Sequence, residues 1–216
     1  MDDIVRICSI DIGTRNFALC IEELQQSKLK NKQQLTFKQK FINGIHTIQY
    51  IQVLEDLYKA TKTIYVETYD LVQNNKRKCE FDPHNLLRMN VCLTSLLSLI
   101  ASCHVIIIEK QMKSNTLAQV MGQHCYSFLL YHFELIKPIL FYKSSYKNKV
   151  IGFPRGLNWG KRKKWGVEKV KDILKIRKDK KLLDRFMLKG KKDDLSDTIL
   201  QAISFFYLAF IEHQKF

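Results

Sequence analysis

The feature that most constrains the fold is the run Val-Ile-Ile-Ile at residues 105–108, which is followed directly by Glu109. β-Branched residues favour strands. An unbroken apolar run without polar alternation is typical of a strand whose two faces are both covered. Residues 84–102 and 115–133, on either side of the run, carry apolar side chains at helical spacing. We therefore predict a central strand between two covering helices.

The rest of the chain extends this pattern to a mixed α/β fold. Strands are predicted at 4–10, 17–21, 63–68 and 139–142, and further helices at 53–60, 164–176 and 195–211. Residues 25–43 suggest a third strand with a long connection, whereas 74–83 and 150–159 read as loops. Early strands followed by alternating helix and strand predict a mixed β-sheet with helices on both faces. The length of 216 residues fits a single domain, 1–216.

The positive charge of the chain is concentrated in one segment. The formal net charge is +15, and residues 137–192 hold 20 Lys and Arg against four Asp and Glu. The remainder of the chain is therefore close to neutral. Such segregation favours a nucleic-acid-binding surface over a lysine-rich surface that serves only solubility.

The cysteines and the N-terminus point to an ordinary intracellular protein. The six cysteines form no C-x-x-C pair, and no His spacing supplies a zinc motif. The chain starts Met-Asp-Asp without a signal-peptide pattern, and the apolar stretch at 91–108 is interrupted by polar residues. We expect a soluble protein in a reducing intracellular compartment.

Carboxylates stand at three places where a predicted buried element reaches the solvent. Asp11 follows the first apolar strand, Glu109 follows the central one, and Asp194 and Asp197 open the last helix. Carboxylate oxygens from distant stretches are the ligands that Mg²⁺ needs to act on a phosphodiester. We predict that they hold two Mg²⁺ ions per active site, which Mn²⁺ can replace.

Each carboxylate also has a purely structural interpretation. The sequence Asp-Ile-Gly-Thr from Asp11 could be a simple turn, and a similar motif occurs in the phosphate loop of two-domain ATPases. Asp194 and Asp197 could cap a helix, although capping does not explain three aspartates within five residues. Glu67 follows another strand and is the alternative to Glu109.

The basic run Lys-Arg-Lys-Lys at 161–164 precedes a predicted helix and is followed by Trp165. It is either a solvated surface or a set of phosphate contacts that includes a lysine stabilising charge in the transition state. We keep both readings open.

Three segments together resemble the RNase H-like Holliday junction resolvases, most closely those of poxviruses and other large DNA viruses, with relatives in fungal mitochondria and bacterial RuvC. The matching stretches are residues 10–18 (IDIGTRNFA), 108–111 (IEKQ) and 192–197 (KDDLSD). The stretch between Asp11 and Glu109 is longer than in compact members, which indicates an insertion at about residues 25–80.

The resemblance implies an RNase H-like nuclease domain that cuts four-way DNA junctions by paired, symmetric nicks. It implies that Asp11, Glu109, Asp194 and Asp197 bind the metal and that Lys164 or Lys163 is a catalytic lysine. It also implies a homodimer, for which we expect the 115–133 helix to form the interface. If the chain is viral, the expected location is a cytoplasmic replication site or the virion.

Overall fold

A five-stranded sheet forms the centre of the computed structural model, which describes residues 3–13, 15–29, 34–42, 45–72, 82–152, 154 and 156–216. Its strands are β1 (Ile4–Ile12), β2 (Asn16–Gln25), β5 (Thr61–Asp70), β6 (Val105–Lys110) and β7 (Ile139–Lys143). The two remaining strands, β3 (Phe41–Ile42) and β4 (Ile45–His46), pair with each other.

The strand order is β5-β2-β1-β6-β7. β1, β2 and β5 pair antiparallel, whereas β1, β6 and β7 run parallel to one another. The predicted mixed sheet is therefore confirmed. Since β1 and β6 are parallel neighbours, their carboxyl ends lie at the same edge of the sheet.

Helices cover both faces of the sheet, as predicted. They are α1 (Phe37–Lys40), α2 (Ile48–Ala60), α3 (Pro83–Ala101), α4 (Thr116–Phe133), α5 (Ser144–Ile151), α6 (Trp159–Ile176), α7 (Lys180–Leu188) and α8 (Lys192–Phe210). Helices α3 and α4 share a core with one face. Helices α2, α5, α6 and α8 share a core with the other, which we call the α8 face.

Helix α8 is the best-covered helix of that face. Every residue from Thr198 to Leu208 is buried. Two of its buried polar side chains reach the sheet: Ser204 lies 2.9 Å from the Tyr142 hydroxyl, and Gln201 donates to the Ile10 carbonyl at 3.3 Å. A helix held this firmly fixes the position of its own first turn.

The C-terminal end of α6 is held on the sheet by a buried ion pair of Arg177, the residue that follows the helix. The Arg177 Nη1 atom donates to the Glu22 carboxylate at 2.6 Å, and the two side chains are 4% and 0% exposed. Thr61 and Thr63 of β5 complete the hydrogen bonding of the pair. This network fixes the C-terminal end of the lysine-rich helix α6 on β2 and β5.

One sequence prediction is wrong, two helices were missed, and one prediction lies mostly outside the described residues. The third strand predicted at 25–43 is wrong, because the described part of that stretch holds the end of β2, a 3₁₀ turn, α1 and only the two-residue β3. Helices α5 and α7 were not predicted: α5 is short with weak apolar periodicity, and α7 lies in a stretch that was read as a lysine-rich connector. Most of the loop predicted at 74–83 lies outside the described residues.

The described part of residues 25–80, where an insertion is predicted, contributes to the main fold. Its last strand, β5, belongs to the main sheet, and α2 packs into the α8-face core.

Among the described residues, no helix is long and apolar enough to cross a membrane.

Candidate active site

Asp11 and Glu109 lie side by side at the carboxyl edge of the sheet. The parallel register pairs Ile10 with Ile108, so each carboxylate is the next residue on neighbouring strands. Ile10 and Ile108 both belong to the α3–α4 core. Since side chains alternate along a strand, Asp11 and Glu109 both belong to the α8 face. The two carboxylates are close enough that the charge of Glu109 helps to raise the pKa of Asp11.

The first turns of α8 bring Asp197 to the same place. The Ser9 hydroxyl of β1 donates to the Thr198 carbonyl at 2.8 Å, which docks α8 on the strand two residues before Asp11. The Asp197 charge acts on Asp11. The structure therefore brings together Asp11, Glu109 and Asp197 from three distant parts of the chain.

A lysine that the sequence did not single out lies among these carboxylates. Lys147 of α5 donates from Nζ to the Asp197 Oδ1 atom at 2.6 Å, and the same Nζ is 3.8 Å from the Glu109 Oε1 atom. Its side chain is only 10% exposed. No local signal distinguished Lys147 from its basic neighbours Lys143 and Lys149, because α5 itself was not predicted.

Asp194 lies beside this group with partners of its own. Its Oδ2 atom accepts a hydrogen bond from the Asn16 Nδ2 atom of β2 at 2.9 Å. Its Oδ1 atom is 3.7 Å from the Lys163 Nζ atom of α6, which is also hydrogen-bonded to Asp193. Asn16 is a second residue that sequence reasoning missed, although it lies within the 10–18 motif.

The aspartates at the start of α8 do not act as its cap. The N-cap residue is Lys191, and no side-chain capping bond is made there. Asp193 and Asp194 are in the first turn, where the helix dipole favours negative charge. Their side chains nevertheless point to Lys163 and Asn16, so the capping interpretation does not account for the cluster.

The electrostatics show how costly this concentration of carboxylates is. Desolvation, followed by the charge of Glu109, raises the pKa of Asp11 well above its usual range. Desolvation and the neighbouring Asp193 also raise the pKa of Asp194. Burial alone would lower the pKa of Lys147, but the charges of Glu109 and Asp197 raise it, so this lysine is fully protonated. Strongly shifted groups that converge in one place are typical of active sites.

The positions of the side chains distinguish Lys163 from Lys164 and Glu109 from Glu67. Lys163 reaches the acidic cluster, whereas Lys164 is exposed. Glu67 is on the edge strand β5, where its carboxylate contacts Arg185 at 2.8 Å and Lys189 at 2.5 Å. The structure thus places Lys163 and Glu109 at the site, and Lys164 and Glu67 away from the Asp11 carboxylate.

The donor set fits a hard divalent cation, because it consists of carboxylate oxygens. Within the described part of the chain, however, no three Asp, Glu, His or Cys side chains form a closed metal cluster. The Lys147 ammonium lies between Glu109 and Asp197 and separates two of the candidate ligands. The carboxylates therefore lie in one region around a central lysine. They do not form a preformed metal-binding site.

Three solved structures with similar folds are Holliday junction resolvases or a RuvC bound to a Holliday junction. Yeast mitochondrial Ydc2, a Holliday junction resolvase, gives a TM-score of 0.55 at 17% identity and covers 97% of this chain and 82% of its own. Fowlpox virus resolvase with Holliday junction DNA gives 0.51 at 18%, covering 93% and 96%. Thermus thermophilus RuvC with a Holliday junction gives 0.52 at 13%, covering 95% of each chain. At these identities the similarity shows the RNase H-like fold alone.

Relatives in sequence are viral. Protein 170L of Invertebrate iridescent virus 6 is 24% identical over 235 residues, covering 96% of this chain and 92% of the relative. Protein 97L of Invertebrate iridescent virus 3 is 24% identical over 212 residues, covering 89% and 95%. The similarity therefore extends over almost the full length of both proteins.

The family match runs through the core of the site. The model of the family described as mitochondrial resolvase Ydc2 / RNA splicing MRS1 matches residues 7–122, more than half of the chain. That range contains most of β1 and all of β2, β5 and β6, and with them Asp11, Asn16 and Glu109. The chain thus belongs to the family of the mitochondrial resolvase Ydc2 and the RNA-splicing protein MRS1.

Proposed function

We propose that the protein is a metal-dependent endonuclease that cuts four-way DNA junctions. The observation that carries this proposal is the meeting of Asp11, Glu109 and Asp197 at one edge of the sheet, with Lys147 among them. Family membership and the similarity in fold to junction resolvases support the substrate class.

Asp11, Glu109, Asp194 and Asp197 would hold Mg²⁺, with two ions per site and Mn²⁺ as a possible substitute. When bound, such ions lower the pKa of a water molecule and neutralise charge on the phosphate. Two of these carboxylates are held by hydrogen bonds: Asp194 by Asn16, and Asp197 by Lys147. The site therefore orients its oxygens before substrate arrives, which reduces the reorganisation needed for reaction.

The two site lysines would act on the phosphate as well as on the carboxylates. Lys147 is protonated and held within the site, while Lys163 enters from the exposed basic helix α6. A fixed ammonium beside the reacting phosphate stabilises the negative charge that develops in the transition state. We assign this role to Lys147 first, because it lies closest to both Glu109 and Asp197.

The basic segment 137–192 would hold the DNA backbone. It contributes β7, α5, α6 and α7, and Lys161 and Lys164 of α6 are exposed near the site. If six phosphates are contacted, junction affinity should fall about 10³-fold between 50 and 200 mM salt. Filter binding at several salt concentrations measures this slope, and a flat response would contradict the role of the segment.

Paired nicks need two active sites, so we propose a homodimer. Its interface would include α4 and the neighbouring α3, which are joined by the hydrogen bond between His124 and Asn90 at 2.8 Å. Leu87 and Val91 of α3 are 60% and 69% exposed, and Val120 of α4 is 47% exposed. Light scattering of a Val91→Glu protein should show monomers if this surface is the interface. An unchanged mass would place the interface elsewhere.

A cleavage assay on a synthetic four-way junction tests the activity. We expect symmetric nicks in Mg²⁺ or Mn²⁺, none in EDTA, and none with Asp11→Asn, which should still bind the junction. Turnover by Asp11→Asn at the wild-type rate would refute the carboxylate assignment. Glu67→Gln, which neutralises a carboxylate on the edge strand β5 away from Asp11, provides a matched control.

Two other functions would give different results in the same assay. An RNase H-like nuclease with another substrate would cut an RNA–DNA hybrid or linear duplex faster than the junction. A non-catalytic nucleic-acid-binding protein would nick no substrate with either metal. The second outcome merits an RNA-binding test, because the description of the family includes an RNA-splicing protein.

A further inference from the structure

Trp159 is a large aromatic side chain exposed beside the active site. It is the first residue of α6, and 73% of it is exposed. Its position is well defined, because Asn158 caps the helix by accepting a hydrogen bond from the Lys161 amide at 3.0 Å. Tryptophan in a folded protein normally gains stability by burying its ring. The exposed ring is therefore available for contact with a ligand.

The position of the ring relative to the carboxylates limits what that ligand can be. The Lys163 Nζ atom lies 4.5 Å from the centroid of the Trp159 ring. The same ammonium is hydrogen-bonded to Asp193 and is 3.7 Å from the Asp194 Oδ1 atom. One lysine ammonium thus bridges the indole and the acidic cluster. A phosphate bound at the cluster would bring its own nucleotide close to the indole.

We propose that Trp159 is a stacking platform for an unstacked base beside the phosphate that is cut. This inference rests on the proposed junction cleavage. In a continuous duplex both faces of every base are covered by neighbours, so stacking on a side chain first requires unstacking. At a branch point the stack is interrupted and this cost is smallest. Trp159 would therefore favour branched over linear DNA, a role in specificity and not in the chemical step.

The chain is well suited to a direct optical test, since it contains only two tryptophans, Trp159 and Trp165. Trp165→Phe in an Asp11→Asn background leaves Trp159 as the single reporter in a protein that should not cut. A four-way junction carrying 2-aminopurine at the branch point is titrated into this protein in Mg²⁺. We expect Trp159 emission to be quenched by the junction and not by a linear duplex of the same sequence. Equal quenching by both, or none at saturation, would overturn the inference.

Affinity provides a second test. Base stacking on an aromatic ring contributes enough that Trp159→Ala should weaken junction binding by about 5- to 100-fold. Linear-duplex binding should change less than about twofold on the same principle. Trp159→Phe, which keeps a ring, should retain most of the affinity. Equal losses on junction and duplex, or none on either, would exclude a role in branch recognition.

Two controls separate this result from other causes. Phe37→Ala removes a ring of similar exposure, 68%, from α1. That helix adjoins Glu212, beyond the end of α8 opposite Asp194, so junction binding should not change. If the wild-type protein fails to nick or select junctions, the proposed function fails. If it nicks junctions and Trp159→Ala selects them equally well, only the present inference fails.

Discussion

Lys147 offers a test of the site that does not depend on catalysis. Its Nζ atom is 2.6 Å from Asp197 and 3.8 Å from Glu109, and its side chain is 10% exposed. Lys147→Met keeps the length of the chain but removes the charge, which leaves neighbouring carboxylates without their cation. Removing one partner of a buried ion pair costs about 3–5 kcal/mol. For a chain of this size, about 2–4 °C per kcal/mol gives a fall in Tm of about 6–20 °C.

Thermal unfolding in EDTA measures this loss, with Lys149→Met as the matched control because Lys149 is exposed on the same helix. Mg²⁺ should then restore part of the stability of Lys147→Met, by about 2.7 kcal/mol at a hundredfold excess over its Kd. The wild-type protein should gain less, since its lysine already occupies the region between Glu109 and Asp197. A variant that melts in EDTA at the wild-type temperature would refute the account of Lys147 as the cation of this site.

Other predictions follow from single contacts. Glu109→Gln should lower junction cleavage by at least about a hundredfold, whereas Glu67→Gln should cleave normally in the same gel assay; equal losses would reopen the choice between them. Arg177→Met leaves Glu22 buried without its partner and should cost about 3–5 kcal/mol in urea unfolding; an unchanged midpoint would contradict it. Gly152 has a positive φ, and the methyl group of Gly152→Ala would point into the His46 ring. We expect the free energy of unfolding to fall by about 1–3 kcal/mol. A stabilised protein would show that the ring moves freely.

Asp11 and Glu109 could be predicted from the sequence because the ends of buried strands are visible in it. The apolar runs before Asp11 and Glu109 identify buried strands, and a carboxylate at the end of each marks the edge of the sheet. Parallel pairing of β1 and β6 then brings the two together without further information. The choice of Glu109 over Glu67 followed the same reasoning, since the more apolar strand proved to be the parallel neighbour of β1.

The lysines could not be found in this way. Lys147 and Lys163 lie in a segment with 20 basic residues, and their own sequence contexts are ordinary. What distinguishes them is the direction in which α5 and α6 pack on α8, which depends on long-range contacts such as those of Tyr142 with Ser204. Lys163 and Lys164 are adjacent and chemically alike, so the choice between them depended on which face of α6 packs towards α8 and could not be made from sequence.

The balance of charge at the site supports the need for a further cation. Two lysines, Lys147 and Lys163, face carboxylates that outnumber them, namely Asp11, Glu109, Asp193, Asp194 and Asp197. Desolvation already raises the pKa of Asp11 and of Asp194, which means that the folded protein resists ionising all of them together. A fold that keeps such a cluster sacrifices stability, and proteins do so mainly where function requires it. Divalent cations relieve this repulsion more directly than a third lysine would, because each brings two charges and accepts several oxygen ligands at once.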